Sequence, residues 1–498
     1  MRFGRKNKQV CFSSLTFHYL CINHLFNFHY MLNQNEHLPA AFEKRMRAQL
    51  GAEAEDFFLA LQLPSPVSIR MNPGKWPLST QLFPEIPSPL PVPWCEEGKI
   101  LNKRPIFTLD PCLHGGAYYV QEASSMFLKQ IFQQILPQHP VRVLDLCAAP
   151  GGKSTLIASM LNQDSLLVAN EVIRSRATIL KENLIKWGQS NVVVTNNDPA
   201  DFQHFEGAFD FIVVDAPCSG EGMFRKDPTA IQEWSESNLQ LCSERQKRIL
   251  ADIWPCLKPG GKLIYSTCTY NPNENETILD WLVEEWQAES IPVTHSFAGI
   301  MPATSRAYGY HFYPHKISGE GFFIGVVQKN EGHSYMPRKT KKQQSTHLQI
   351  PALLFPYIQH PEEYIGYTNG NHYGIIPQTN ASFIKELDVF LRVLYKGCEI
   401  AEINHQKIKL LPELALWQGI NKEACFVYET DLHTALTFLH KEDIPAIPVS
   451  TDWILVSYQG IGLGWCKNLG NRLNNYYPKE WRIKMDIHKT ESNELYRS

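Results

Sequence analysis

Asp215-Ala216-Pro217-Cys218-Ser219-Gly220-Glu221-Gly222 decides how this chain is read, once it is set beside Ser266-Thr267-Cys268-Thr269-Tyr270. Each stretch is an apolar run that ends in a polar, cysteine-bearing turn. A third such run lies upstream, Val143-Leu144-Asp145-Leu146, and it leads into Cys147-Ala148-Ala149-Pro150-Gly151-Gly152-Lys153. In open α/β sheets, ligands and chemistry gather at the carboxyl ends of the strands. That edge would carry a loop of small residues, two acids and two cysteines. The pattern predicts an enzyme with a cofactor and a thiol nucleophile.

Strand patterns at 141–146, 166–171, 192–197, 209–216 and 262–268 alternate with helical patterns at 154–161, 174–186, 239–257 and 275–285. Such alternation predicts a mostly parallel sheet covered on both faces. Residues 311–313 and 322–327 are also strand-like. They lie too close together for a helical crossover, so at least one pairing there is antiparallel. Upstream, 35–62 reads as helical and 67–71 as a strand, and proline-rich 76–94 reads as irregular coil. Downstream, 383–394 reads as a helix or a short strand pair and 431–439 as a helix. Strands and glycine turns from 453 to 483 suggest a small β-rich barrel.

With 498 residues, 44% hydrophobic and 19% charged, the chain is long enough for about three or four domains. A net charge of −3 neither indicates nor excludes nucleic acid. The 12 cysteines are scattered, with no pair at zinc-knuckle spacing. That favours reduced thiols, a cytoplasmic protein and no metal. No stretch is apolar enough to span a membrane. Residues 1–30 are basic, aromatic and rich in histidine. They read as a non-native extension before a start at Met31, a disordered basic arm, or a targeting segment.

Small side chains at Ala148, Ala149, Gly151 and Gly152 let a ligand approach the backbone, next to the free N–H groups of a helix start. A P-loop would need glycine where Cys147 stands, and the GxGxxG fingerprint is absent. Glu171 is placed to hold ribose hydroxyls, and Asn197-Asp198 to read an adenine edge. Either acid alone would equally serve as a helix cap. Together these features imply an adenosine without phosphates.

A lone Cys268 after a buried strand would more often be an inert core thiol. Two thiols over one cleft could be a disulfide, half a metal site, or a nucleophile with its assistant. The third option has a direct chemical case. C5 of cytosine is a poor nucleophile, and adding a thiolate across C6 makes it enamine-like. A carboxylate at Asp215 could share a proton with N3. The target base must leave its stack to reach the cleft. Arg70, Arg225 and Lys226 are available for phosphates, though solvated surface charge is the commoner fate of any one of them.

The motifs quoted above, with Ser68-Ile69-Arg70-Met71-Asn72-Pro73, Tyr119-Val120-Gln121-Glu122-Ala123-Ser124-Ser125-Met126, Arg225-Lys226-Asp227-Pro228 and Gly319-Glu320-Gly321-Phe322-Phe323, resemble the NOL1/NOP2/Sun family of RNA 5-cytosine methyltransferases. The resemblance is closest to the bacterial branch acting on small-subunit ribosomal RNA, and it covers residues 35 to 330 most strongly. It implies a Rossmann-like α/β sheet of seven mostly parallel strands with the last antiparallel, a small α+β N-terminal domain and a C-terminal PUA-like domain. The implied divisions are 1–30, 31–114 for an N-terminal RNA-binding domain, 115–330 for the methyltransferase domain, a basic linker at 331–350, an intermediate region at 351–440, and the PUA-like domain at 441–498. The resemblance implies S-adenosylmethionine as cofactor, held by Cys147, Ala148, Ala149, Pro150, Gly151, Gly152, Lys153, Glu171, Asp198 and Asp215. It makes Cys268 the nucleophile, Cys218 an aid to product release, and Asp215 the acid that also meets the cytosine. RNA is the implied partner, 16S rRNA foremost, with a monomeric enzyme. A transfer RNA substrate, and a non-catalytic RNA-binding assembly protein, are the rival readings.

Overall fold

The computed structural model of the chain describes residues 37–76, 89–337, 348–404 and 407–487. Residues 1–30, and the linker positions Arg338, Lys339, Lys341 and Lys342, lie outside the described residues. The helix Ala40–Leu50 buries Phe42 and Met46, four residues apart on one face.

A first sheet is formed by β1 (Val67–Met71), β2 (Leu90–Val92), β3 (Cys95–Leu101) and β4 (Tyr118–Val120), in the order β2-β3-β1-β4. All its pairings are antiparallel. The expected coil at 76–94 is therefore corrected at 90–92. Pro91 is tolerated because β2 is an edge strand, where one backbone N–H is dispensable.

The large sheet is built from β5 (Arg142–Asp145), β6 (Leu166–Asn170), β7 (Val192–Thr195), β8 (Phe209–Asp215), β9 (Leu257–Thr267), β10 (Glu289–Ser290), β11 (Ile300–Pro302), β12 (Gly309–Phe312) and β13 (Phe322–Gln328). Strands β7-β6-β5-β8-β9 run parallel in that spatial order. The chain moves outward from β5 to β7 and then returns to β8 on the other side of β5. The order therefore reverses between β5 and β8, which opens a crevice at their carboxyl ends. Neighbouring residues along each strand face opposite cores. Val143, Leu167 and Val213 pack in one, and Leu144, Val168 and Val214 in the other.

The sheet has ten strands rather than the seven expected. Short β10 and β11 extend the antiparallel end, and Val393–Lys396 pairs antiparallel with β7 at the far edge. Pairing so distant in sequence leaves no local signature. The helix Ala381–Phe390 precedes that edge strand, so the 383–394 pattern resolves as helix followed by strand.

A third, antiparallel sheet contains β14 (Tyr364–Asn369), β15 (His372–Pro377), β17 (Cys398–Asn404) and β18 (Lys407–Leu410), the edge strand Val393–Lys396 being β16. The fourth contains β19 (Phe426–Glu429), β20 (Trp453–Tyr458), β21 (Ile461–Asn468) and β22 (Leu473–Asn475), packed with the helix Leu432–Leu439. Strand β19 pairs parallel with β20, so this sheet begins upstream of the expected boundary at 441. Among the described residues, no helix is long and apolar enough to cross a membrane, and no group of His, Cys, Asp and Glu could hold a metal ion.

Candidate active site

Five parallel strands deliver the site to one edge. After β5 the chain passes through Cys147, Ala148, Ala149 and Pro150 to Gly151. Gly151 has φ +118° and stands immediately before the helix Gly152–Met160. A side chain there would be strained whatever the space around it, so the turn requires glycine. The loop is pinned from outside. Arg176 Nη2 donates to Ala149 O at 2.8 Å, Asn183 Nδ2 to Pro150 O at 2.8 Å, and Ala148 N to Asn170 O at 2.9 Å.

Asp145, at the end of β5, is fully buried. Its Oδ2 accepts from Ser154 Oγ at 2.6 Å, while Oδ1 has no partner. Burial pushes its carboxyl up to about 7. An unpartnered, fully buried acceptor is costly and marks the place of a missing donor. Sequence reasoning quoted Asp145 without giving it a function. Its position just ahead of the small-residue loop was the available signal.

Glu171 is almost fully buried at the end of β6, where it accepts from Ile173 N at 2.9 Å and faces Arg176 Nη1 at 3.5 Å. Apolar Val172 and Ile173 beside it are half exposed. Asp198 sits further round. It caps the short helix Pro199–Phe205 by accepting from Ala200 N and pairs with Arg248 at 3.3 Å. Its neighbour Asn197 accepts from Arg392 N at 2.9 Å, and Asn196 N donates to Arg392 O at 3.0 Å. The residue leading into β16 thus fixes the end of β7, a contribution with no sequence signal.

Asp215 ends β8. Its Oδ1 accepts from Ser266 Oγ at 2.7 Å and its Oδ2 pairs with Lys153 Nζ at 2.8 Å. Burial alone would lower the lysine, but Asp215, with smaller help from Asp145 and Cys268, outweighs it and raises the ammonium above its usual range. Beyond Asp215, Cys218 Sγ and Cys268 Sγ stand 3.2 Å apart. Hydrogen bonding to Cys268, followed by burial, pushes the Cys218 thiol well up. Gly222 N donates to Cys268 O at 2.9 Å. A Cβ at Gly222 would lie 2.5 Å from Gly321 O and 2.9 Å from Cys268 O.

The three expected phosphate ligands separate. Arg70 is only 2% exposed; it donates to Gln121 Oε1 at 2.8 Å and Thr155 Oγ1 at 2.6 Å and stacks over Trp187. Arg225 is buried against Glu320 at 3.0 Å and donates to Gly319 O at 2.6 Å. Both expectations are corrected: these guanidinium groups hold the fold together, and burial in a strand or beside a carboxylate is a tertiary fact. Lys226 is exposed.

The parts fit an adenosine-bearing methyl donor. Asp145 Oδ1 lacks a donor, the loop 147–152 is built of small residues, Glu171 is buried at the end of the next strand, and two thiols stand 3.2 Å apart at the ends of β8 and β9.

Residues 133–328 match the family described as 16S rRNA methyltransferase RsmB/F. Residues 38–123 match the N-terminal domain of 16S rRNA methyltransferase RsmF, and 425–483 the methyltransferase RsmF PUA domain. Ribosomal RNA small subunit methyltransferase F of Klebsiella pneumoniae (strain 342) is 32% identical over 480 residues, covering 90% of this chain and 98% of that protein. Its counterpart from Enterobacter sp. (strain 638) is 32% identical over 485 residues, covering 90% and 97%. The solved structure of NSun6 from Pyrococcus horikoshii superposes with a TM-score of 0.51 at 19% identity, over 59% of this chain and 98% of that one, a likeness of fold.

Proposed function

Because the chain belongs to the RsmB/F family of 16S rRNA methyltransferases, we propose that it methylates C5 of a cytosine in 16S rRNA, with Cys268 as nucleophile and Cys218 as the thiol that helps release the product. The observation that carries this division of labour is the 3.2 Å thiol pair at the ends of adjacent strands, beside the Lys153–Asp215 ion pair.

Strands β5 to β9 serve as a Rossmann-like platform. S-adenosylmethionine supplies the electrophilic methyl group when bound. The residues that would hold it are Asp145, the loop from Cys147 to Lys153, Glu171, Asp198 and Asp215. The Cys268 thiolate adds to C6 of the flipped cytosine, forming a C–S bond and raising electron density at C5. Asp215, fixed by Ser266 and Lys153, meets N3 and the 4-amino group; it shares a proton with N3, and that proton neutralises the negative charge thiolate addition places on the ring. After C5 is methylated a base takes its proton. That electron pair rebuilds the C5–C6 double bond, the C6–S bond breaks, and Cys268 returns as thiolate. Cys218 assists this release from 3.2 Å.

Exposed Lys226 is a phosphate contact, and the sheets at either end of the chain bind RNA. The enzyme acts as a cytoplasmic monomer, since one chain carries both the cleft and its flanking domains. Bisulfite sequencing of 16S rRNA incubated with enzyme and S-adenosylmethionine tests the reading. One protected cytosine is expected with the native chain and none with Cys268→Ala. Undiminished methylation by Cys268→Ala would overturn it.

A further inference from the structure

Behind the two thiols lies a second, parallel contact. Ser219 follows Cys218 and Thr269 follows Cys268, and their hydroxyls meet at 2.9 Å. Glu274 is fully buried and accepts from both Ser219 N at 2.8 Å and Ser219 Oγ at 2.6 Å. Ser219 Oγ donates to Glu274, and the Thr269 hydroxyl also reaches that carboxyl, so both hydroxyls are held by one acid. Thr269 Oγ1 in turn accepts from Asn271 N at 3.2 Å. Contacts thus run without a gap from Asn271 through Thr269 and Ser219 to Glu274.

The next residue does the same for the other cysteine. Asn275 Oδ1 accepts from Thr267 Oγ1 at 2.5 Å, and Asn275 Nδ2 donates to Thr269 O at 2.9 Å. Cys268 is therefore gripped on both sides by Asn275. Cys218 is gripped by Glu274 through Ser219 and by Gln246 Nε2, which donates to Pro217 O at 3.1 Å. Tyr265 OH anchors the dipeptide to β9 by donating to Glu274 O at 2.6 Å. A buried carboxylate is a costly way to fill space. Its two oxygens match the N–H and O–H that Ser219 presents.

We propose that the adjacent residues Glu274 and Asn275, acting through Ser219 and Thr269, form a jig that sets the distance between the two thiols and thereby the lifetime of the covalent RNA adduct. The proposal rests on the reading of Cys218 as the release thiol. These four are positioning residues that touch neither base nor cofactor. Displacement of a reacting group by about 1 Å is enough to slow a step severely.

Two measurements on Ser219→Ala, Thr269→Val and Glu274→Gln test it, with Cys218→Ala as control. The first is the rate at which diamide oxidises Cys218 and Cys268 to a disulfide, read by peptide mapping. The jig predicts a fall of about 3- to 10-fold in each variant, and rates equal to the native chain's in all three overturn it. The second is denaturant-resistant RNA–protein adduct beside single-turnover methyl transfer. Adduct is expected to rise while single-turnover transfer stays within about 3-fold. A parallel loss of single-turnover rate with no adduct would show general damage and also overturn the jig. Slowed diamide coupling in the three variants, with no adduct in them or in Cys218→Ala, would keep the jig and refute the release assignment instead.

Discussion

Lys153 Nζ lies 2.8 Å from Asp215 Oδ2 and joins the loop after β5 to the turn after β8, across the point where the strand order reverses. The loop after β5 and the acid that ends β8 are therefore one electrostatic unit. Replacing Lys153 with methionine keeps an unbranched side chain and removes the charge, which lies 5.0 Å from the centre of the Phe322 ring. Methyl transfer is expected to fall on the order of 10²-fold. The half-exposed carboxylate is partly screened, so the melting temperature should move little. A loss of stability without loss of rate would refute the coupling.

Asp145 predicts a pH signature. Its folded value of about 7 lies above the unfolded value of 3.8. Between those values the folded state holds a proton that the unfolded state has released, so this group's stabilisation is full below the lower value and is lost as pH rises through about 7. Asp145→Asn removes the contribution. His114, held near 4 by burial, works in the opposite direction over part of the range and is common to both proteins. The stability difference, Asp145→Asn variant minus native, should therefore grow by about 2–4 kcal/mol from about pH 4 to about pH 7 in urea titrations. A flat difference would refute the assignment.

Arg225 and Glu320 form a pair whose side chains are 5% and 3% exposed, and Ser65 Oγ also donates to Glu320. Removing one partner strands the other charge. Glu320→Ala should cost about 3–5 kcal/mol in urea unfolding. The double change to Arg225→Met and Glu320→Leu should cost less than the two single losses combined. RNA affinity measured under native conditions should not follow Arg225, as it would if the guanidinium met phosphate.

Arg392→Pro deletes the N–H that Asn197 accepts while leaving the carbonyl that Asn196 uses. The preceding Leu391 is already extended, the conformation a residue before proline prefers. S-adenosylmethionine affinity, measured by calorimetry, should weaken about 3- to 10-fold with little change in single-turnover rate at saturation. Unaltered affinity would detach β16 from the cofactor pocket.

The catalytic edge was readable because its information is local. An apolar run followed by Asp215-Ala216-Pro217-Cys218, or by Cys268-Thr269, encodes both a strand and the turn that presents a side chain. The helix following Gly151 was equally plain. What escaped depends on partners distant in sequence. Arg70 has the composition of a phosphate ligand, yet it alternates inward on β1 and meets Gln121 and Thr155. Strand β19 is recognisable only through β20, and Val393–Lys396 only through β7. Asn275 reads as the ordinary start of the 275–285 helix and Glu274 carries no signal, and only the folded chain shows them reaching back to both cysteine turns.

The pairing of β16 with β7 also bears on the order in which the protein is made. Thr195 leaves the ribosome long before its partner Val393 exists. During that interval the growing polypeptide carries an open row of backbone donors and acceptors at the margin of its largest sheet, a template for unwanted strand addition. A nascent chain stalled after the methyltransferase segment would be its most aggregation-prone form. Emergence of Val393–Lys396 is what seals that margin.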